Sequence, residues 1–188
     1  MDVWEFDPLD VQAYAKYNDN YRYILSVIDV FSKYVHLIPI KKKSGPTVAT
    51  AFRSLFDDPK YSTGRRPIWV RTDKGKEFLN KHFQDMLRNE GGGIQFHVRR
   101  NLDLKLRSWN ACTARFAIDS SNISHIDIST DVSMSCNDTV NSTVGMAPSR
   151  VTDLDVLAIW KRTEEAQGRV RAAKAATFRV GQYVRISK

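Results

Sequence analysis

Two aspartates stand beside short apolar segments, in positions where a carboxylate could do chemistry. Asp73 follows the run Ile68–Val70, which predicts a buried strand, and Gly75 predicts a turn into the helix beyond it. Asp7 closes the alternating segment Val3–Asp7, so both carboxylates are expected at strand ends. In α/β folds, ligands and chemistry gather at strand-to-helix turns. A helix-capping role for Asp73 is the other interpretation of this stretch.

The segments that position these aspartates predict an α/β fold with the element order β-β-β-α-β-α-β. The first three strands are expected to form an antiparallel meander. The predicted strands are residues 3–7, 21–31, 34–40, 68–70 and 94–98, and the predicted helices are residues 47–56 and 77–90. Of the other aspartates, Asp29 is interpreted as a structural hydrogen-bonding residue, and Asp10, Asp57 and Asp58 are interpreted as solvated.

The chain carries an excess of positive charge. It has 188 residues and a net charge of +8, with a pI near 9.6, which favours nucleic acid as a polyanionic partner. A basic surface without such a partner is the alternative. The residues that we predict to bind nucleic acid are Lys41, Lys42, Lys43, Arg65, Arg66, Lys74, Lys76, Arg99 and Arg100.

Targeting signals are not visible in the sequence. No apolar run approaches the roughly 20 residues of a membrane span, and no signal peptide is recognisable. We therefore expect an intracellular protein without membrane contact.

Three segments resemble the catalytic core of retroviral-type integrases: Trp4–Asp7, Val27–Tyr34 and Arg71–Phe78. Three motifs in the family's order are a specific signal. The resemblance covers residues 1–105 and resumes at residues 137–148. It implies a ribonuclease H-like fold, with a five-stranded mixed sheet flanked by helices. It also implies descent from a mobile element whose enzyme joins DNA ends.

By this resemblance, Asp7 and Asp73 are the first two members of an Asp-Asp-Glu triad that holds two divalent cations. Polynucleotidyl transfer explains the residue types, because two cations roughly 4 Å apart activate the attacking oxygen and stabilise the leaving one. Mg²⁺ prefers carboxylate oxygens and keeps several waters. The resemblance thus implies Mg²⁺ or Mn²⁺ as cofactor and DNA as partner. Homo-oligomers and, if the protein is expressed, a nuclear location are further expectations.

The third carboxylate of the triad is missing from the sequence. The position nearest to it by family spacing is Asn110, and no acid occurs between Lys105 and Asp119. Trp is encoded by TGG and Asn by AAT or AAC, so reading Trp109 and Asn110 one base earlier gives GAA, a codon for Glu. We infer that residues 106–134 are translated out of frame; ordinary divergence is the alternative.

The predicted domain organisation follows from these boundaries. Apolar spacing predicts a short helix over residues 151–162, and the charged, alanine-rich residues 164–174 predict a linker or helix. The expected units are an integrase core over 1–105, an out-of-frame, disordered or irregular segment over 106–135, the end of the core over 136–162, a linker over 163–176 and a truncated start of an SH3-like domain over 177–188.

Three functions are compatible with the sequence. The first is an integrase-type or transposase-type enzyme that joins DNA ends with Mg²⁺, in a copy that lacks one carboxylate and is therefore expected to bind the metal weakly and to be inactive. The second is a non-catalytic, basic DNA-binding remnant. The third is a ribonuclease H-type nuclease, which shares the fold but usually uses more acidic residues than this chain offers.

Overall fold

A computed structural model describes residues 3–57, 65–73, 75–90, 95–98 and 125–176. The strands in these ranges are β1 (Val3–Asp10), β2 (Tyr23–Asp29), β3 (Val35–Ile40), β4 (Trp69–Thr72) and β5 (Gln95–Val98). The α-helices in the same ranges are α1 (Gly45–Asp57), α2 (Lys76–Leu79), α3 (Lys81–Asn89), α4 (His125–Asp138) and α5 (Val156–Ala176). Short 3₁₀ turns occupy Gln12–Tyr17, Pro148–Arg150 and Asp153–Asp155.

The five strands form one mixed sheet in the order β3-β2-β1-β4-β5. β1, β2 and β3 pair in antiparallel fashion, while β4 is parallel to both β1 and β5. The predicted five-stranded mixed sheet and its antiparallel meander are therefore confirmed. Because β3 runs in the same direction as β1, β4 and β5, the carboxyl ends of these four strands lie at one edge of the sheet, here called the carboxyl edge.

One face of the sheet carries the larger core. Trp4 and Phe6 of β1, together with Val70 of β4, pack on this face against α1 and α3. Val48, Phe52 and Leu55 of α1 are almost fully buried, and the ring centroids of Phe52 and Phe6 are 4.7 Å apart. Their helical spacing confirms the predicted helix and places it against the sheet.

The helix predicted over residues 77–90 is interrupted at Asn80, which separates α2 from α3. Asn80 adopts an extended backbone conformation with ψ of 160°, and its side-chain oxygen accepts the N–H of Phe83 at 3.1 Å. This N-cap bond stabilises a fresh helix start. The apolar pattern of the sequence continues across the break, because Phe78 before it and Phe83 after it contribute to the same core.

The segment expected to be disordered or irregular contains the start of a helix, so that expectation is wrong for residues 125–135. α4 begins at His125 and lies on the second face of the sheet. Val132 is buried there against Ile24, Val35 and Leu37. Tertiary burial therefore stabilises a helix whose own apolar pattern is weak. Residues 106–124 of the segment lie outside the described residues.

The last described helix is longer than expected. A 3₁₀ turn precedes it, in which the Asp155 carboxylate accepts both the N–H and the hydroxyl of Thr152 at 2.8 Å. α5 then runs from Val156 to Ala176, so residues 164–174, predicted as a linker or helix, are helical. Ile159 anchors its first turns against Val144 and Val151. The predicted SH3-like start at 177–188 lies outside the described residues.

No helix in the described part of the chain has both the length and the apolar character needed to cross a bilayer.

Candidate active site

The register between β1 and β4 indicates where the two predicted catalytic aspartates lie relative to one another. Glu5 is the parallel partner of Arg71, and continuing that register by two residues sets Asp7 opposite Asp73. Residues two apart on a strand share a face. The face is marked by the Glu5–Arg71 ion pair, with Oε1 and Nη1 3.9 Å apart. Since neighbouring strands lie about 4.8 Å apart, the continued register would bring Asp7 and Asp73 to adjacent positions.

Asp7 lies inside β1 rather than at its end, which corrects the sequence-based expectation. β1 continues to Asp10 because its antiparallel pairing with β2 continues from Asp7 opposite Ser26 to Asp10 opposite Tyr23. The Ser26 hydroxyl also donates to the carbonyl oxygen of Asp7 at 2.7 Å. β4 ends at Thr72, so the Asp7 side chain stands at the level where the neighbouring strand stops.

The Asp73 carboxylate is oriented by the turn that follows it. Its Oδ1 accepts the backbone N–H of Gly75 at 3.0 Å. Gly75 is the N-cap residue of α2, and no side chain makes a capping bond there. The helix-capping interpretation of Asp73 is therefore wrong, and the carboxylate instead closes a local turn.

Sequence reasoning missed the acid next to this pair, Glu77. Its side chain is only 6% exposed, and Lys43 places Nζ 2.8 Å from Glu77 Oε1. The carboxylate folds back over Gly75, where a Cβ atom would stand 2.6 Å from Glu77 Cδ. The available signal was the run Asp-Lys-Gly-Lys-Glu itself, but a charged residue in the first turn of an amphipathic helix is ordinarily solvated.

The pKa of Lys43 is affected by all three carboxylates at this edge of the sheet. Burial lowers the pKa of Lys43, but the ion pair with Glu77 and the nearby charges of Asp73 and Asp7 outweigh that effect, so the pKa is raised overall. The ammonium group therefore remains charged at neutral pH. Lys43, predicted to contact nucleic acid, is thus paired with Glu77 and interacts electrostatically with Asp7 and Asp73.

Three of the predicted nucleic-acid-binding residues are exposed near the carboxyl edge. Lys41 and Lys42 follow β3, and Lys76 opens α2 directly after the turn at Asp73. Lys41 Nζ lies 4.9 Å from the ring centroid of Tyr21. Lys74, Arg99 and Arg100 lie outside the described residues.

Two other predicted binding residues make intramolecular ion pairs. Arg65 lies 2.9 Å from Asp153 and 3.5 Å from Asp29. Arg66 lies 3.3 Å from Glu90, and its guanidinium stands 4.8 Å from the ring centroid of Phe56. These contacts connect the segment before β4 to the rest of the fold.

Of the other aspartates interpreted from the sequence, the three that lie in the described ranges fall into the classes expected of them. Asp29 is buried; its Oδ1 accepts the N–H of Phe31 at 2.9 Å and its Oδ2 accepts the Ser32 hydroxyl at 2.7 Å. Its structural role is confirmed. Asp10 and Asp57 are exposed, as predicted. Asp58 lies outside the described residues.

The donor set suits a divalent cation only in part. Asp7 and Asp73 offer hard carboxylate oxygens from adjacent positions, the donor type that Mg²⁺ and Mn²⁺ prefer. Within the described ranges, however, no group of three or more His, Cys, Asp or Glu side chains is arranged to hold a metal ion. Asn110, the position nearest the expected third acid, lies outside those ranges.

Comparisons of sequence agree with this architecture. Residues 1–101, more than half of the chain, match the family model described as the integrase core domain. A Caenorhabditis elegans protein described as transposon-derived is 27% identical in a match 186 residues long, and the match covers 94% of this chain. The chain spans 59% of the length of that relative.

Comparisons of structure point to the same fold. The catalytic core of HTLV-2 integrase, solved in complex with magnesium, superposes with a TM-score of 0.60 and 16% identity, covering 80% of this chain and 95% of the other. The catalytic core of BIV integrase gives a TM-score of 0.60 and 14% identity, covering 79% and 91%. The matched motifs, the sheet order and these likenesses agree: the chain belongs to the integrase core domain family and has its ribonuclease H-like fold.

Proposed function

We propose that this chain is the catalytic core of a mobile-element integrase, whose ancestral reaction is metal-dependent strand transfer into DNA, and that the chain as written no longer performs it. The observation that supports the proposal is the parallel register of β1 and β4 in a chain of this family, because continuing it two residues past Glu5 and Arg71 would bring Asp7 beside Asp73. The transposon-derived relative supports a mobile-element origin.

The residues at the carboxyl edge would have different roles in metal binding. Asp7 and Asp73 would hold a divalent cation, Mg²⁺ or Mn²⁺, which when bound supplies Lewis-acid activation at a phosphate. The Gly75 N–H orients the Asp73 carboxylate. The Ser26 hydroxyl holds the Asp7 backbone. The first contact fixes the Asp73 carboxylate and the second fixes the backbone that carries Asp7, and such positioning before substrate arrives is what precise catalysis requires.

Loss of the third acid supports an inactive copy. Asn110 offers a neutral carbonyl oxygen where the family has a carboxylate, so a second cation would be bound weakly. When one metal ligand is absent, a two-metal site no longer stabilises both the attacking and the leaving oxygen. The out-of-frame interpretation of residues 106–134 explains the loss without any change in the rest of the core.

DNA is the substrate that the charge distribution favours. Exposed Lys41, Lys42 and Lys76 lie near the carboxyl edge that carries Asp73, where a phosphate backbone would meet both the cations and the carboxylates. The same three lysines also support the second candidate, a non-catalytic DNA-binding remnant located in the nucleus.

Further copies of this chain are a second proposed partner. The HTLV-2 core was solved in dimeric and trimeric forms. In this chain, Leu154 of the 3₁₀ turn before α5 and Leu157 and Trp160 at the start of α5 are exposed at a spacing of three residues, and exposed apolar residues so grouped suit contact with another protein surface.

The test compares the chain as written with a version whose reading frame is restored over codons 106–135, each supplied with the family's flanking domains. We expect no cleavage or strand transfer of labelled DNA by the chain as written, with Mg²⁺ or Mn²⁺. We expect metal-dependent strand transfer by the restored chain, lost on Asp73→Asn. Asn110→Glu alone should not restore activity, because the segment around it would not hold the new carboxylate in place.

Two outcomes would contradict the proposal. Metal-dependent cleavage by the chain as written, abolished by Asp73→Asn, would mean that another acid completes the site. An inactive restored chain that still binds DNA would favour the non-catalytic remnant.

A further inference from the structure

The ion pair between Lys43 and Glu77 joins two parts of the chain that are distant in sequence. Lys43 belongs to the loop after β3, whereas Glu77 belongs to the first turn of α2. The Lys43 Nζ lies 2.8 Å from Glu77 Oε1, and the Glu77 side chain is only 6% exposed. A carboxylate this deeply buried is costly unless a cation accompanies it.

The Glu77 carboxylate is also fixed next to Asp73. It packs against the α-carbon of Gly75 and occupies the space that a Cβ atom at position 75 would need. The N–H of the same glycine donates to Asp73 Oδ1 at 3.0 Å. One residue, Gly75, therefore contacts both carboxylates, and this arrangement holds the ammonium paired with Glu77 close to the Asp73 turn.

The electrostatic effect on Lys43 agrees with that geometry. Besides Glu77, the carboxylates of Asp73 and Asp7 stabilise its charged form. The Lys43 ammonium therefore lies in the field of the two aspartates that the proposed function assigns to the metal. A fixed positive charge there opposes the entry of a second cation.

We propose that Lys43 is a built-in counter-ion of the Asp7–Asp73 pair: Glu77 tethers its ammonium beside the two carboxylates, and the charge held there sets how strongly the site binds a divalent cation. This role rests on the proposed function, because it takes Asp7 and Asp73 as the metal ligands. Lys43 would thus be a positioning and affinity-setting residue in addition to any contact with DNA.

The experiment measures Mn²⁺ binding to the full chain from the electron paramagnetic resonance signal of the free ion. Lys43→Met, which keeps the aliphatic stem and removes the charge, should tighten Mn²⁺ binding by about fivefold. Lys42→Met is the matched control, since it removes the same charge from an exposed neighbour in the same loop. It should change the affinity by less than about twofold, because solvent and salt screen an exposed charge.

Lys43→Met leaves the buried Glu77 carboxylate without its cation. The comparison is therefore repeated in a Glu77→Gln background, in which no unpaired carboxylate is left at position 77. The double variant Lys43→Met/Glu77→Gln should bind Mn²⁺ more tightly than Glu77→Gln alone. Circular dichroism of each variant checks that the fold is retained.

The outcomes separate the two proposals. Mn²⁺ binding that Asp73→Asn leaves unchanged overturns the proposed metal site and the counter-ion role with it. No binding by any variant overturns the counter-ion role, because removing the charge at position 43 should tighten binding. Binding that requires Asp73 but is equally strong with Lys43 and with Met at position 43 overturns only the counter-ion role. Loss of binding in Glu77→Gln with either residue at position 43 also overturns it, because Glu77 would then be a metal ligand itself.

Discussion

The Asp73 carboxylate is positioned by neighbours within four residues of chain. Gly75 donates its N–H to it, and Glu77 occupies the space that any larger residue at position 75 would need. The motif Asp-x-Gly-x-Glu is therefore a small structural unit in which each residue has a physical role. The aspartate and the glycine could be predicted from the sequence, because a strand end and a turn residue have local signals. The role of Glu77 could not, because it depends on Lys43, which is distant in sequence.

His36 is a residue whose protonation should be visible in the stability of the fold. It is buried between Trp4 and Tyr34, with ring centroids 5.8 Å and 4.9 Å away. Burial lowers the pKa of His36 from 6.5 to about 4. The unfolded chain therefore takes up a proton before the folded chain does. Stability from the neutral imidazole is complete above pH 6.5 and is lost as the pH falls towards 4.

The expected loss across this window is about 3 kcal/mol in the free energy of unfolding. Urea denaturation at a series of pH values measures it. His36→Phe should flatten the pH dependence in this range, whereas His82→Phe, at an exposed histidine on α3, should leave it unchanged. Equal slopes for the wild type and His36→Phe would contradict the assignment.

At the scale of elements, strand and helix identities follow from local patterns, and their ends follow from pairing. β1 reads as a strand up to Asp7, but hydrogen bonding to β2 extends it to Asp10. The helix predicted over residues 77–90 breaks at Asn80, because that side chain caps α3. α4 has little amphipathic pattern and depends on contacts made far away in sequence. Such contacts carry no local signal, which is why this helix was not predicted.

Asn137 provides the clearest of these distant contacts. It is 3% exposed, its side-chain oxygen accepts the N–H of Val35 at 2.8 Å, and its amide donates to the carbonyl of Val35 at 2.9 Å. The side chain thus pairs with β3 as another strand would, and it attaches α4 to the edge of the sheet. Asn137→Ala leaves two buried backbone groups of Val35 without partners.

We expect Asn137→Ala to lower the free energy of unfolding by about 3 kcal/mol, from the cost of two unsatisfied buried groups. Chemical denaturation measures the change. Asn89→Ala is the matched control, because Asn89 is exposed at the end of α3, and it should change stability by less than about 0.5 kcal/mol. A loss of similar size in both variants would show that the pairing with Val35 is not what stabilises α4.

At the scale of the whole molecule, a net charge of +8 says little until the basic residues are placed. Arg65 and Arg66 make ion pairs within the fold, and Lys43 pairs with Glu77. Lys41, Lys42 and Lys76 remain exposed near the carboxyl edge. Composition predicts that a polyanion is a suitable partner. The fold determines which basic side chains are exposed and can bind it.

This distribution leads to a prediction for DNA binding. The logarithm of the affinity for a DNA duplex should fall linearly with the logarithm of salt concentration, because each neutralised phosphate releases counter-ions and contributes about −0.9 to the slope. The triple variant Lys41→Ala/Lys42→Ala/Lys76→Ala should therefore bind more weakly and reduce the slope by about 2 to 3. Fluorescence anisotropy with labelled duplexes of unrelated sequence measures both quantities.

A second triple variant, Arg150→Ala/Lys161→Ala/Arg169→Ala, removes the same charge from exposed positions elsewhere and should keep the wild-type slope. If the two triple variants reduce the slope equally, binding follows net charge alone, and the carboxyl edge is not the DNA-binding surface.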